Sequence, residues 1–235
     1  MARPMSSEPQ YAFAPPPRAS ALIAGQAARF PVRRVICIGR NYALHVREMG
    51  GDPKAEPPLF FTKPADAIVV DGEDVPYPGA TRDLHHEVEL VLAIGGEGAD
   101  LEPAEAEALI WGWAVGVDLT RRDLQAEAKA AGKPWDSAKG FDHSAPIGAI
   151  TPRSVASAPS GRLRLSVNGT PRQEAPLSQM IWSPAQVVAE ASRLWRLAPG
   201  DLIFTGTPEG VGPLNRGDRV EASADGLEPL AFRIV

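Results

Sequence analysis

Residues 85–95 read HHEVELVLAIG, and two features of that run pull in opposite directions. Alternation along a strand puts residues i and i+2 on one side, so Glu87 and Glu89 share a face. The run continues through Val88, Leu90, Val91, Leu92, Ala93 and Ile94, which sends the strand into a core. Two like charges at the edge of an apolar layer cost free energy unless a cation or hydrogen-bond donors compensate them.

The next apolar strand supplies a third carboxylate. Residues 102–120, EPAEAEALIWGWAVGVDLT, begin as an acidic, alanine-rich helix and pass into a strand ending at Asp118 and Leu119. Glu87, Glu89 and Asp118 on two adjacent strand ends make an oxygen-only ligand set. Hard cations such as Mg²⁺, Mn²⁺ or Ca²⁺ prefer that set, whereas zinc and copper favour His or Cys. Each acid taken singly is equally a solvated strand end. His85 and His86 are successive, point to opposite faces and belong to no H-E-x-x-H motif, so packing or hydrogen bonding behind the acids suits them better than metal binding.

Two further groupings accompany the acids. In NYALHVREMG, residues 41–50, a short helix places His45 and Glu48 on one face, so Glu48 can orient the ring of a candidate general base. In RRDLQAEAKAAG, residues 121–132, a helix stopped by Gly132 carries Arg122 and Gln125 on one face, and Lys139 follows in SAKGFD. Donors beside a cation suit an anionic substrate whose reaction develops more negative charge. Arg121, Arg122 and Lys139 exceed the need of one carboxylate, which points to a substrate with two, although Arg121 lies off the Arg122 face and reads equally as structural. The bland reading of all of these is a salt-bridged surface.

The remaining sequence sets bounds. The chain has 235 residues, 44% hydrophobic and 23% charged, enough for one domain with a substantial core. A net charge of −5 argues against a general nucleic-acid binder. No apolar run is long enough to span a bilayer, and the N-terminus leads into no signal-type segment, so a cytoplasmic setting is the expectation. Cys37 is the single cysteine, flanked by apolar residues, and reads as a buried inert thiol. The prolines of FAPPPRASA, residues 13–21, exclude helix and central strand there, so residues 1–30 read as an extended N-terminal arm ahead of a domain over 31–235. VRRVICIGR, residues 32–40, reads as a strand, Asn168-Gly169 as a hairpin turn, and Ser183-Pro184 as the start of an amphipathic helix. The glycine-rich TGTPEGVG lacks the terminal Lys-Ser/Thr of a phosphate loop and opens no helix, so it is no nucleotide signature. Mixed α and β with β dominating, an α+β fold, follows.

Taken together, GRNYALHVREMG, KPADAIV, HHEVELVLAIG, GVDLTRRDLQ, GKPWDSAKGFD, VNGTPRQ, SQMIWS and GDLIFTGTPEGVGP resemble the fumarylacetoacetate hydrolase family, in its order and over roughly residues 30–235. ARFPVRRVICIGRNY is most similar to the bacterial branch that cleaves fumarylpyruvate, and the acylpyruvase and oxaloacetate decarboxylase branch is almost as similar. The resemblance implies a mixed β-sandwich roll, a homodimer and one Mg²⁺ or Mn²⁺ per site. It implies Glu87, Glu89 and Asp118 as metal carboxylates, and His45 with Glu48 as a water-activating dyad. It also implies Lys139, Arg122 and Gln125 as groups polarising the substrate, and Gly206 and Thr207 in a loop contacting its carboxylate. The implied reaction is hydrolysis of a 2,4-diketo acid, fumarylpyruvate to fumarate and pyruvate. The alternatives are acylpyruvate cleavage, oxaloacetate decarboxylation, or a non-catalytic protein that binds a divalent metal or a dicarboxylate.

Overall fold

A computed structural model describes residues 11–48 and 58–235. The extended arm expected over residues 1–30 is replaced in its second half by a β-hairpin, β1 (Ser20–Ile23) and β2 (Gln26–Pro31). The triple proline blocks regular structure only upstream of it. Ala21, Ile23 and Phe30 are buried, an apolar pattern outweighed in the reading of the sequence by its proline-rich neighbours. The first ten residues lie outside the described part.

The chain continues through β3 (Arg34–Gly39), α1 (Ala43–Glu48), β4 (Leu59–Lys63), β5 (Ile68–Val70), β6 (Leu84–His86) and β7 (Val88–Ile94). Next come α2 (Pro103–Ala108), β8 (Ile110–Val117), β9 (Thr120–Arg121), α3 (Arg122–Ala130) and α4 (Asp136–Lys139). Then follow β10 (Ala145–Ile147), β11 (Thr151–Pro152), β12 (Arg162–Val167) and β13 (Thr170–Pro176). The last elements are α5 (Pro184–Leu194), β14 (Asp201–Phe204), β15 (Gly212–Leu214), β16 (Arg219–Ala224) and β17 (Leu230–Arg233). Several sequence signals act as read. Ser183 caps α5 through a reciprocal box with Gln186, with Pro184 in the first turn. Asn168 and Gly169, both at positive φ, turn β12 into β13. The stop expected for α1 at Gly50 and Gly51 lies outside the described residues.

The result is the β-dominated α+β roll, built on an eight-stranded mixed sheet in the order β4-β3-β14-β7-β8-β10-β5, with β11 on β8. A four-stranded antiparallel sheet, β13-β12-β16-β17, packs β12 and β16 against β7 and β8. Period-two alternation sorts the central strands onto two cores. Leu90, Leu92, Trp113 and Val115 face Leu163, Leu165, Val220 and Phe232 of the second sheet. Val91, Ala93, Ala114, Leu202 and Phe204 join Val35 and Cys37 under the β1–β2 hairpin. Gly116 is required here, because a Cβ would lie 2.6 Å from the Phe204 ring and 2.7 Å from Val91. Cys37 is fully buried, and burial followed by the Asp118 charge pushes its thiol up, as expected of an inert group. The odd-numbered face of β7 continues past Val91 to Glu89 and Glu87, so the acids stand at the end of this second core. Arg33 and Arg34 both pair with buried Asp201 and tie the parallel strands β3 and β14 together. No helix among the described residues is long and apolar enough to cross a membrane.

Candidate active site

The strand read as continuous through HHEVEL is broken at Glu87. β6 ends at His86 and pairs with β15 and β9, while β7 begins at Val88 and pairs with β8 and β14. Glu87 still lies beside Glu89, its carbonyl accepting the Asp118 N–H at 2.8 Å, and Asp118 follows the last residue of β8. Ligand oxygens of Glu87, Glu89 and Asp118 lie within 4.8 Å of one another, and all three residues are buried.

Cations and donors close around this triad unevenly. Lys139 Nζ donates to Glu87 Oε2 at 2.8 Å, Asp118 Oδ2 at 2.6 Å and Thr120 Oγ1 at 2.6 Å. Arg122 donates to Glu87 Oε1 and to Gln125 Oε1, both at 2.5 Å, which bears out the shared helix face. Burial alone would raise the Glu87 carboxyl, but Lys139 and Arg122 outweigh it and hold it well below the usual carboxylate range. Burial lowers the Lys139 ammonium, and Asp118 with Glu87 more than reverses that. Glu89 receives one donor, the Gly206 N–H at 2.7 Å to Oε2. Burial first, then the Asp118 and Glu87 charges, push its carboxyl well above the ordinary value.

These observations test the fit of a hard cation. The donor set is oxygen only, and among the described residues Glu89 lacks a cationic partner and buried Asp118 Oδ1 has no hydrogen-bond donor, although Lys63 Nζ lies 2.8 Å away without the alignment for a hydrogen bond. A divalent ion meets all three needs. The residues fit the group.

His45 shares a cavity with the triad, Arg122, Gln125, Lys139 and Thr207. Its Nδ1 is 3.1 Å from Glu48 Oε2, and Glu48 Oε1 accepts the Gly210 N–H at 3.3 Å, so the pair read at i and i+3 forms and is tied to the glycine-rich loop. Glu48 and Gly206 stand behind the cavity wall rather than in it. The Gly206 amide is committed to Glu89, so of the two loop residues only Thr207 faces the cavity. At φ +91°, with a Cβ placed 2.7 Å from Asn41 Cβ, position 206 admits only glycine. Arg121 lies elsewhere: it stacks on Phe141 at 4.3 Å and donates to Ser137 O. The two histidines act behind the acids. His85 sits between Asp83 and the Arg122 Nε, and His86 Nδ1 meets Gln173 Oε1 at 2.9 Å.

Three supporting residues escaped the reading of the sequence. Lys63, at the end of β4, is fully buried and donates to Leu119 O at 3.2 Å and to Lys139 O. It holds the backbone beside both Asp118 and Lys139; the signal was a lysine at the end of an apolar strand. Gln173 on β13 accepts from Val88 N and donates to Thr207 Oγ1 at 2.8 Å and Pro208 O, joining the second sheet to the site. Asn41 donates to Thr205 O at 2.7 Å and Trp182 O at 3.0 Å, bridging the end of β3 to the loop after β14. No periodic signal marks either residue.

The family model for the fumarylacetoacetate (FAA) hydrolase C-terminal domain matches residues 34–235. The mitochondrial oxaloacetate tautomerase of Mus musculus is 42% identical over 203 residues, 86% of this chain and 91% of that protein. A fumarylpyruvate hydrolase from a Ralstonia species is 38% identical over 183 residues, 78% of this chain and 95% of that protein. Among solved structures, fumarylpyruvate hydrolase from Pseudomonas aeruginosa, in complex with Mn²⁺ and pyruvate, superposes with a TM-score of 0.94 at 49% identity, covering 96% of this chain and 99% of that one.

Proposed function

From the premise that this chain belongs to the fumarylacetoacetate hydrolase family, we propose that it hydrolyses the C3–C4 bond of a 2,4-diketo acid, fumarylpyruvate, to fumarate and pyruvate. The observation that carries the reading is the buried oxygen triad in one cavity with a histidine held by a carboxylate. Metal binding alone has no use for the dyad; hydrolysis needs both. Glu87, Glu89 and Asp118 would hold the cation, Mg²⁺ or Mn²⁺, which when bound supplies Lewis acidity toward the substrate's C1 carboxylate and C2 oxygen and fixes their position.

The rest of the chemistry falls to side chains of this chain. Glu48 engages Nδ1 of His45 and leaves Nε2 to take a proton from water as its oxygen attacks C4. Lys139, Arg122 and Gln125 are placed to meet the oxyanion that develops there. The C3–C4 pair of electrons then goes to C3 as the bond breaks, and the proton taken by His45 returns to C3. The hydroxyl remains on the fumaryl carbon, so atoms and charge balance. Three carboxylates against Lys63, Lys139 and Arg122 sum to zero, and a divalent ion leaves an excess of two positive charges. The substrate carboxylate and the oxyanion require that excess.

A second reading is favoured by the identity to oxaloacetate tautomerase. Oxaloacetate offers the same carboxylate and adjacent carbonyl, and proton transfer at its C3 needs a base but no attacking water. Following diketo-acid absorbance for fumarylpyruvate, acetylpyruvate and oxaloacetate, with CO₂ release from the last, separates the readings. Fumarylpyruvate as best substrate supports hydrolysis; oxaloacetate turned over alone refutes it. The family reading brings with it a homodimer in the cytoplasm, for which light scattering of the purified chain is the test of assembly.

A further inference from the structure

The space beside the triad is small. It measures about 50 Å³, room for only a few waters when one needs roughly 10–15 Å³. A diketo acid is larger than that, so the reacting end alone fits there. Arg40, Phe61, Lys129, Trp135 and Lys139 line this inner space and also a second cavity of about 530 Å³ that opens from it. Whatever extends beyond C4 of the substrate enters that outer cavity.

Its walls have a definite character. Phe61 and Trp135, with ring centroids 6.0 Å apart, border the passage between the two spaces, which suits a flat unsaturated chain. Arg40 and Lys129 border both spaces, Lys133 lines the outer one, and Asp136 is the one carboxylate among its described lining residues. Arg122, Gln125 and Lys129 fall on one stripe of α3, at i, i+3 and i+7. With Gln125 at the reacting carbon, as in the mechanism above, Lys129 stands four residues, about 6 Å, further along the helix. The second carboxylate carbon of fumarylpyruvate lies three bonds past C4, about 4 Å along an extended carbon chain, and its oxygens about 5 Å. The negative end of the short helix α3 opposes an anion here, but its fractional charge is smaller than the two full charges on Lys129 and Lys133.

We propose that the outer cavity is the subsite for the substrate's distal carboxylate, with Lys129 and Lys133 determining specificity for a dianionic over a monoanionic diketo acid. The proposal rests on the diketo-acid reading above. It relocates the source of selectivity from Arg121, which stacks on Phe141, and from Arg122 and Lys139, which stand at the triad rather than in the outer cavity's far wall.

The test is the ratio of kcat/KM for fumarylpyruvate to that for acetylpyruvate, measured with Mn²⁺ on the wild type, Lys129→Met, Lys133→Met and the double variant. Both substrates are assayed on one preparation, so any loss of folded protein cancels in the ratio. The double variant should lower the ratio about 10- to 100-fold, the span for losing charge-assisted contacts to one anion, chiefly through KM, and Lys129→Arg should retain most of it. A ratio within twofold of wild type in the double variant overturns the subsite. A wild type that cleaves acetylpyruvate as well as fumarylpyruvate also overturns it, and leaves the diketo-acid reading standing. A wild type that cleaves neither removes that reading and the subsite with it.

Discussion

Replacing Glu89 by Gln should separate the stability of the site from its chemistry. In the metal-free protein the Glu89 carboxyl is held well above its ordinary value, by burial first and by Asp118 and Glu87 next, and the Gly206 N–H and Lys139 do not offset them. The native state therefore keeps a proton that the unfolded chain, titrating near 4.3, releases. With more protons bound natively than unfolded, stability is full below the unfolded value and falls as pH rises toward the folded one. The slope is at most about 1.4 kcal/mol per pH unit for one group. At roughly 2–4 °C per kcal/mol for a chain of this size, that is about 3–6 °C in Tm per unit. A glutamine does not titrate, and its amide oxygen can still accept the Gly206 N–H. In EDTA, between pH 5 and 8, Glu89→Gln should lose Tm less steeply than wild type and match or exceed it at pH 8. Mn²⁺ should raise the wild-type Tm, by about 2.7 kcal/mol of stabilisation at a hundredfold excess over Kd, and leave the variant's unmoved. Thermal unfolding followed by circular dichroism, with and without Mn²⁺, reads both effects. Parallel pH profiles together with an undiminished Mn²⁺ shift in the variant would refute the placement of Glu89 at a cation site.

Other perturbations address the remaining parts. His45→Ala and Glu48→Gln should each slow hydrolysis about 10²- to 10⁴-fold while keeping the Mn²⁺-induced rise in Tm; loss of that rise would make His45 a ligand. Lys63→Met keeps the buried stem but removes the charge 2.8 Å from Asp118 Oδ1 and strands two backbone carbonyls, and should cost about 3–5 kcal/mol in denaturant unfolding with EDTA present. A loss under 1 kcal/mol would show the lysine to be dispensable. Gly206→Ala should weaken Mn²⁺ binding as well as stability, since a Cβ against Asn41 displaces the amide that holds Glu89. Unchanged Mn²⁺ affinity in that variant would break the link.

The parts of this molecule legible in its sequence are those governed by short-range rules. The alternation of β7, the Asn168-Gly169 turn, the Ser183 cap and the one-face pairing of Arg122 with Gln125 each depend on residues a few positions apart. Glu87, Glu89 and Asp118 could be grouped because two apolar runs each ended in acids. What escaped depends on partners far away in the chain. The β1–β2 hairpin has value only as a cover for Val91, Ala93 and Phe204, so its apolar residues carried little weight beside a proline-rich neighbour. Lys63 reaches Leu119, Gln173 reaches Val88 and Thr207, and Asn41 reaches Thr205. Only Lys63 carries a local signal, its place at the end of an apolar strand; nothing local distinguishes the glutamine and the asparagine. Arg121 was legible only in part: its offset from the Arg122 face marked it as a structural residue, but nothing near it in sequence names the Phe141 ring on which it lies.

The position of β14 between β3 and β7 has a consequence for biosynthesis. Its four residues, Asp201–Phe204, leave the ribosome long after both neighbours, since Arg34 and its partner Asp201 are 167 positions apart. Until then the nascent chain carries two apolar strands with unpaired edges facing an empty slot, a state open to wrong pairing with other chains. Closing so long a loop makes the step slow relative to the local hairpin at Asn168-Gly169. Glu89 acquires the Gly206 amide only when β14 docks, so a growing chain cannot complete the proposed cation site until residue 206 of its 235 has been made.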